Sequence, residues 1–228
     1  MLRIVGEHYI ISTNARLLYN RKIDFIRQLT AEVCKKASAN ETLEQDYWDE
    51  LNLDLLDLKE EDAEFHRDQL EEYLVNHKTL AQIQFYYLFT SIYSVIEVFL
   101  FELVTEVEQK KGNKIKLKNL RKDGSDIQHY FNFLNLVYNI EIKNSSEFLK
   151  SLKGFADIRN CIIHKNGNLL IEERNRKDRI TKAINILEGL EIDEDKIYFV
   201  DDRYIKEFIS FANKLGLQLF SDIKLMVK

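Results

Sequence analysis

At 228 residues the chain is long enough for one generous domain or two small ones around a buried core. Hydrophobic residues at 45% and charged residues at 31% exclude a disordered or fibrous protein, and the absence of proline with only seven glycines excludes a turn-rich β-sandwich or doubly wound fold. The net charge of −5 argues against a globally basic nucleic-acid coat protein, but the charge is unevenly spread. From Glu41 to Glu72 there are fourteen acidic residues against Lys59 and Arg67 alone. From Lys110 to Lys122 the sign reverses, with seven basic residues and no acid, which reads either as a solvated surface or as a local anion-attracting patch. The two cysteines, Cys34 and Cys161, are too few for a secreted disulfide scaffold and read as reduced thiols. The N-terminal stretch MLRIVGEHYIISTNARLL has no long apolar core ahead of a small-residue cleavage site, so a cytoplasmic protein is expected.

The periodicity predicts an all-α protein. Asn14 is placed to cap a helix running to about Ser38, with Leu17, Leu18, Ile23, Ile26, Leu29 and Val33 near helical spacing. Thr42 and Glu44 open a second helical stretch, and the acidic segment to about His77 reads as one or two amphipathic helices with Phe65, Leu70, Tyr73 and Leu74 as their stripe. The longest helix is expected over residues 79–110. Between Phe85 and Val104 it is apolar nearly all round, which invites a membrane span, but Glu97 and Glu102 lie inside it at about 2.5–3.5 kcal/mol each on insertion scales. A bundle centre or dimer seam is the expectation instead, with no membrane.

After the lysine-rich loop, Ser125 or Asp126 caps a helix carrying Ile127, Phe131 and Leu134. Ser145 or Ser146 starts the next, which Gly167 is placed to end. A further helix is expected over 172–187, with Gly189 as its stop. A small hairpin near 190–200 pairs Leu190, Glu191 and Ile192 with the stretch from Ile197 to Val200 across DEDK, and a last helix covers 202–224. The whole is expected as a single helical domain, with residues 1–78 as an N-terminal helical extension and 79–228 as the main bundle.

Candidate chemistry is sparse. The five histidines show no zinc-site spacing with cysteines, and there is no phosphate-binding glycine loop or nucleophile elbow, so no metal and no cofactor are expected. What remains is ADIRNCIIHKNGNLL, residues 156–170. Arg159 and Asn160 interrupt a strongly apolar helix, and an arginine beside a core is costly unless an anion or carboxylate meets it. Asn160 and His164, four apart, share a helix face, and a histidine at a helix C-terminus is suited to proton transfer. The guanidinium fork suits a phosphate and the charge that grows on it. Arg3 to His8 has the same spacing without the apolar helix, and reads as chance.

Arg159-Asn160-Cys161-Ile162-Ile163-His164 resembles the R-x4–6-H signature of HEPN domains, with Asn160 in the polar slot after the arginine. The stretch Ser94-Val95-Ile96-Glu97-Val98-Phe99-Leu100 is similar to the family helix that carries an acidic residue ahead of the motif helix. The likeness covers roughly residues 80–170, while residues 1–75 match no part of the family. It implies a HEPN-like helical bundle that dimerises and brings two motif helices together, and a metal-independent endoribonuclease, commonly a toxin or defence effector. Carried over, Arg159 would bind and polarise the scissile phosphate, and His164 would be the general base or acid. Asn160 would orient the site, and Glu97 would pair with Arg159 or tune His164. Lys165, Lys116, Lys118 and Arg121 would then meet RNA phosphates, and the partners implied are RNA, a second copy, and an antitoxin or regulatory protein. Asn166 stands where some family toxins have a modified tyrosine, which puts that route of regulation in doubt. The competing expectation is a non-catalytic module holding a nucleotide, RNA or a protein in the same polar cleft.

Overall fold

The computed structural model describes residues 16–35, 49, 60–111, 114–122, 124–185 and 188–226. They form helix α1 (16–35), helix α2 (Glu60–Lys111), a 3-10 turn (Leu117–Asn119), and helices α3 (Asp126–Tyr138), α4 (Ser145–Lys165) and α5 (Arg174–Ile184). A hairpin of β1 (Leu190–Asp193) and β2 (Lys196–Phe199) precedes the last helix, α6 (Arg203–Met226). The all-α architecture with one small hairpin is as the periodicity predicts. The cap expected at Asn14, the helix opening at Thr42 and Glu44, and the chance motif at Arg3 to His8 lie outside the described residues.

α2 differs from the expected 79–110. It starts at Glu60 and runs unbroken for 52 residues, about 78 Å at 1.5 Å per residue. No proline or glycine interrupts its sequence, and the boundary expected between residues 78 and 79 falls inside it. From Phe85 to Val107 one face of α2 is the centre of the core, with Leu88, Phe89, Ile92, Ile96, Phe99, Leu100 and Leu103 buried. An 18-residue window of this helix is apolar enough to cross a membrane, and half of that window is buried inside the protein.

Aromatic packing fixes the helix directions. Phe89 of α2 lies within 5.0–5.8 Å of Tyr204 and Phe208 of α6, and Phe99 lies 5.2 Å from Phe220, so α2 and α6 run parallel. Phe148 meets Phe211 and Phe155 meets Phe208, so α4 runs antiparallel to α6, and hence to α2. α1 packs on the other flank of α2, where Tyr19 stacks at 4.2 Å on Phe99 and donates its hydroxyl to the Ala212 carbonyl at 2.6 Å. α3 packs along α2 as well, with Tyr130 6.1 Å from Phe101, so that α1, α3, α4 and α6 all lie against α2.

Local signals set the ends. Ser125 caps α3 by accepting the Gln128 N–H. α4 closes where Asn166 (φ 49°) and Gly167 (φ 76°) turn left-handed and both donate their N–H to the Cys161 carbonyl. α5 is shorter than expected, spanning Arg174–Ile184. The hairpin pairs Leu190 with Phe199 and Ile192 with Ile197, across Glu194 and Asp195, both at positive φ as a tight two-residue turn demands. Its free edge is not wasted: Gln82 of α2 accepts the Phe199 N–H at 2.8 Å and donates to the Phe199 carbonyl at 2.7 Å, and the Tyr86 hydroxyl donates to the Ile197 carbonyl.

Gly167 sits under that Tyr86 hydroxyl, and a Cβ there would overlap it. Gly167→Ala therefore combines a left-handed backbone with a clash, and is expected to lower the unfolding free energy by about 1–3 kcal/mol in a denaturant titration. A cost near zero would mean that the turn closing α4 relaxes freely.

Candidate functional site

Arg159 leaves α4 towards α2, and its guanidinium lies over the Tyr93 ring, 5.7 Å from the centroid. Its Nη1 donates to Asn160 Oδ1 at 3.1 Å. The Nε is buried and has no hydrogen-bond partner among the described residues. Among the described residues no carboxylate comes within 4.0 Å of the guanidinium, Glu97 included. Of the two roles expected for Glu97, direct pairing with Arg159 is therefore not what this arrangement contains. A half-buried guanidinium held by a ring face and a neutral amide keeps most of its donors for something else.

Glu97 lies one turn beyond Tyr93 on α2 and is itself half-buried. Burial pushes its carboxyl above the usual carboxylate range, Arg159 pulls it back, Asp126 pushes it up again and Lys122 lowers it. Burial and the charge on Glu97 likewise raise the Tyr93 phenol, against Arg159. These couplings place the start of α3 beside Glu97: Asp126 is its first residue and is ion-paired with Lys122 at 2.6 Å. Lys122 ends the basic run, so the lysine-rich loop approaches the Arg159 neighbourhood through the Lys122–Asp126 pair.

The other expected residues are placed as follows. His164 is exposed in the last turn of α4, and Asn160 is half-buried one turn before it. Arg159 and His164 are five residues apart, about 140° round the helix and about 7.5 Å along it, so one copy does not aim both at the same point. Lys118 and Arg121 are exposed, while Lys116 lies 3.5 Å from Glu108. Lys165 is turned back onto its own chain, donating to the Ile171 carbonyl at 2.7 Å and lying 3.6 Å from Glu172. Among the described residues there is no group of three or more His, Cys, Asp or Glu side chains able to hold a metal ion.

Sequence reasoning missed a second polar cluster, on the opposite side of α4. Asp157, 9% exposed, accepts from Arg179 Nε at 2.8 Å and Nη2 at 3.2 Å, and lies 3.6 Å from Arg176. Glu172, whose side chain is 2% exposed, lies 3.6 Å from both Arg176 and Lys165. Cys161 is buried beside it, and burial followed by the Glu172 charge pushes its thiol up to about 11, which keeps it protonated and unreactive. Arg174, Arg176, Lys177 and Arg179 read in sequence as a basic cluster. Arg176, Lys177 and Arg179 are in fact ion-paired within the fold, Lys177 to Asp195. The available signal was Asp157 itself, an acid set between the apolar positions Phe155 and Ile158, two residues before Arg159.

No protein-family model, curated protein or solved structure matches this chain. The raised Glu97 carboxyl yields a direct check. Its ionised form is disfavoured in the folded state, so it lowers stability as pH rises through and above the usual carboxylate pKa of about 4.3 and has no such effect below it. Glu97→Gln is expected to raise the urea midpoint at pH 8 and to leave it unchanged at pH 4. A loss at pH 8 would mean that the attraction to Arg159 outweighs burial.

Proposed function

We propose that this protein is a metal-independent endoribonuclease of HEPN type, acting as a toxin or defence effector in the cytoplasm. The observation that carries the proposal is the Arg159 guanidinium: half-buried and, among the described residues, with no carboxylate within 4.0 Å and no partner for its buried Nε. Holding a cation in such a position is unfavourable until an anion arrives, and a phosphodiester supplies one. Arg159 binds the scissile phosphate and stabilises the charge that develops on its oxygens. His164, exposed at the helix end, takes the proton from the RNA 2′-hydroxyl as that oxygen attacks phosphorus, or returns one to the departing 5′ oxygen. The products are a 2′,3′-cyclic phosphate and a 5′-hydroxyl. Asn160 steadies the guanidinium, and Glu97 tunes the field around it rather than neutralising it.

Because Arg159 and His164 of one copy diverge around the helix, the reaction needs a site composed from two motif helices, as the resemblance implies. Lys118 and Arg121, with Lys116 at the loop's edge, make salt-sensitive contacts to RNA phosphates, and an antitoxin or other regulatory protein restrains the activity. One observation favours the alternative, a non-catalytic module that binds a nucleotide, RNA or protein: among the described residues no hydrogen bond orients the His164 imidazole.

Purified protein incubated with RNA and EDTA is expected to release fragments ending in a cyclic phosphate. His164→Ala and Arg159→Ala each reduce the rate by about 10²–10⁴-fold while helicity is retained. RNA that stays intact from mildly acidic to mildly basic pH, yet binds, would replace catalysis with the binding-module reading.

A further inference from the structure

Tyr93, Glu97 and Phe101 of α2 are spaced four residues apart, so they form one row along the helix, each step about 6 Å along its axis. Arg159 lies over Tyr93 at the first position. Glu97 is half-buried at the second, and among the described residues no hydrogen bond or ion pair meets its carboxylate. Phe101 is 49% exposed at the third, with the Tyr130 ring of α3 beside it, centroids 6.1 Å apart and planes inclined at 53°. α3 runs alongside the row: Asp126 lies by Glu97, and Tyr130, one turn on, lies by Phe101. Lys122 is held to Asp126 at 2.6 Å, is exposed, and stands close enough for its charge to act on Glu97.

Each of these groups matches one part of a nucleotide. The guanidinium takes a phosphate. An exposed aromatic ring is a platform on which any base stacks. The carboxylate is the group that discriminates, because it has two acceptor oxygens and no donor. Of the RNA bases only guanine offers two neighbouring N–H donors, N1 and N2, on its Watson–Crick edge. Adenine and cytosine set a ring-nitrogen acceptor beside their amino group, and uracil sets its one N–H between two carbonyls. Each of those three turns a lone pair towards the carboxylate. Guanine also places its O6 acceptor beside N1, and the Lys122 ammonium, with one proton on Asp126, has donors left for it. A half-buried carboxylate is costly without hydrogen bonds, and the guanine edge supplies two of them.

We infer that the row Tyr93–Glu97–Phe101 is a guanosine-binding subsite, with the base stacked on Phe101 and its N1–H and N2–H donated to the Glu97 carboxylate. A phosphate of the same or the adjoining nucleotide lies at Arg159. The ligand is a guanosine phosphate, free or within single-stranded RNA. The inference rests on the reading of Arg159 as the anion site and not on cleavage. In a nuclease it makes Glu97 the residue that selects where the strand is cut.

Titration of the full chain with mononucleotides reads the base contact without any reaction. 5′-GMP is expected to bind about 10–100-fold more tightly than 5′-AMP, 5′-CMP or 5′-UMP, with 5′-IMP, which lacks the N2 amine, in between. Glu97→Gln is expected to lose the preference for GMP over AMP at unchanged helicity. Phe101→Ala is expected to weaken every mononucleotide alike, by about tenfold. A single-stranded oligonucleotide with one guanine among adenines separates the two sources. Tighter binding than 5′-GMP assigns the subsite to RNA, and weaker binding assigns it to the free nucleotide. Equal affinities, a preference for AMP or CMP, no mononucleotide binding, or a GMP preference that survives Glu97→Gln overturns the inference. A GMP preference in a protein that leaves RNA intact keeps the subsite and discards the nuclease. RNA cleavage by a protein without that preference does the reverse.

Discussion

The arrangement depends on where one guanidinium rests. Arg159 emerges from a helix whose neighbouring residues Ile158, Cys161 and Ile162 are buried, and it lies against α2 with an aromatic ring beneath it and an amide at its side. A cation at that depth demands compensation, and what it receives is soft: a ring quadrupole, one neutral hydrogen bond, and a desolvated carboxyl too far away for an ion pair. Arg159 pulls the Glu97 carboxyl down, but burial outweighs that pull and leaves it above the usual carboxylate range. The guanidinium is half-buried and without an ion pair within 4.0 Å among the described residues.

The rest of the fold holds that position still. α4 is pinned along α6 by Phe148, Phe155 and their ring contacts, and at its end by the turn at Asn166 and Gly167 that runs under the hairpin. The hairpin is fastened to α2 by Gln82 and Tyr86. Both helices that contribute to the Arg159 neighbourhood are thus joined at the same end of the bundle, so Tyr93 and Arg159 cannot slide past one another without breaking the Gly167 turn.

Much of this was legible in the sequence because the local signals agree with one another. Ser125, Gly167 and the tight turn after Asp193 are strong punctuation, and the apolar run of 85–104 marks the core helix. The start of α2 was not legible, because the stripe read there packs on nothing visible: the side chains described between 64 and 80, Phe65 and Tyr73 among them, are exposed, and continuity comes from the lack of a breaker. The motif residues Arg159, Asn160, His164 and Glu97, and the link of Arg159 to Asn160 and Glu97, are readable from the sequence and the family resemblance, but the ring that carries the guanidinium is not. Tyr93 was hidden among eleven tyrosines, and a cation–π contact between separate helices leaves no spacing to detect. The return of Lys165 onto Ile171 and Glu172 is also a tertiary event that composition cannot encode.

α4 contains its own comparison. On one side Asp157 meets Arg179 through two hydrogen bonds and Arg176 at 3.6 Å, so those guanidinia are neutralised and that side is closed. On the other side Arg159, a half-turn away, has the same chemistry and no acid within reach among the described residues. On the Asp157 side the ionisable group of α4 is met by opposite charge from α5, whereas on the Arg159 side Glu97 acts on the guanidinium through its field without an ion pair. Burial and the neighbouring Asp126 both disfavour the charge on that carboxyl, against the pull of Arg159 and Lys122. The asymmetry between the two sides of one helix separates an acid tied into the fold by ion pairs from a guanidinium with no carboxylate within 4.0 Å among the described residues, and it is that second group on which the proposed anion binding rests.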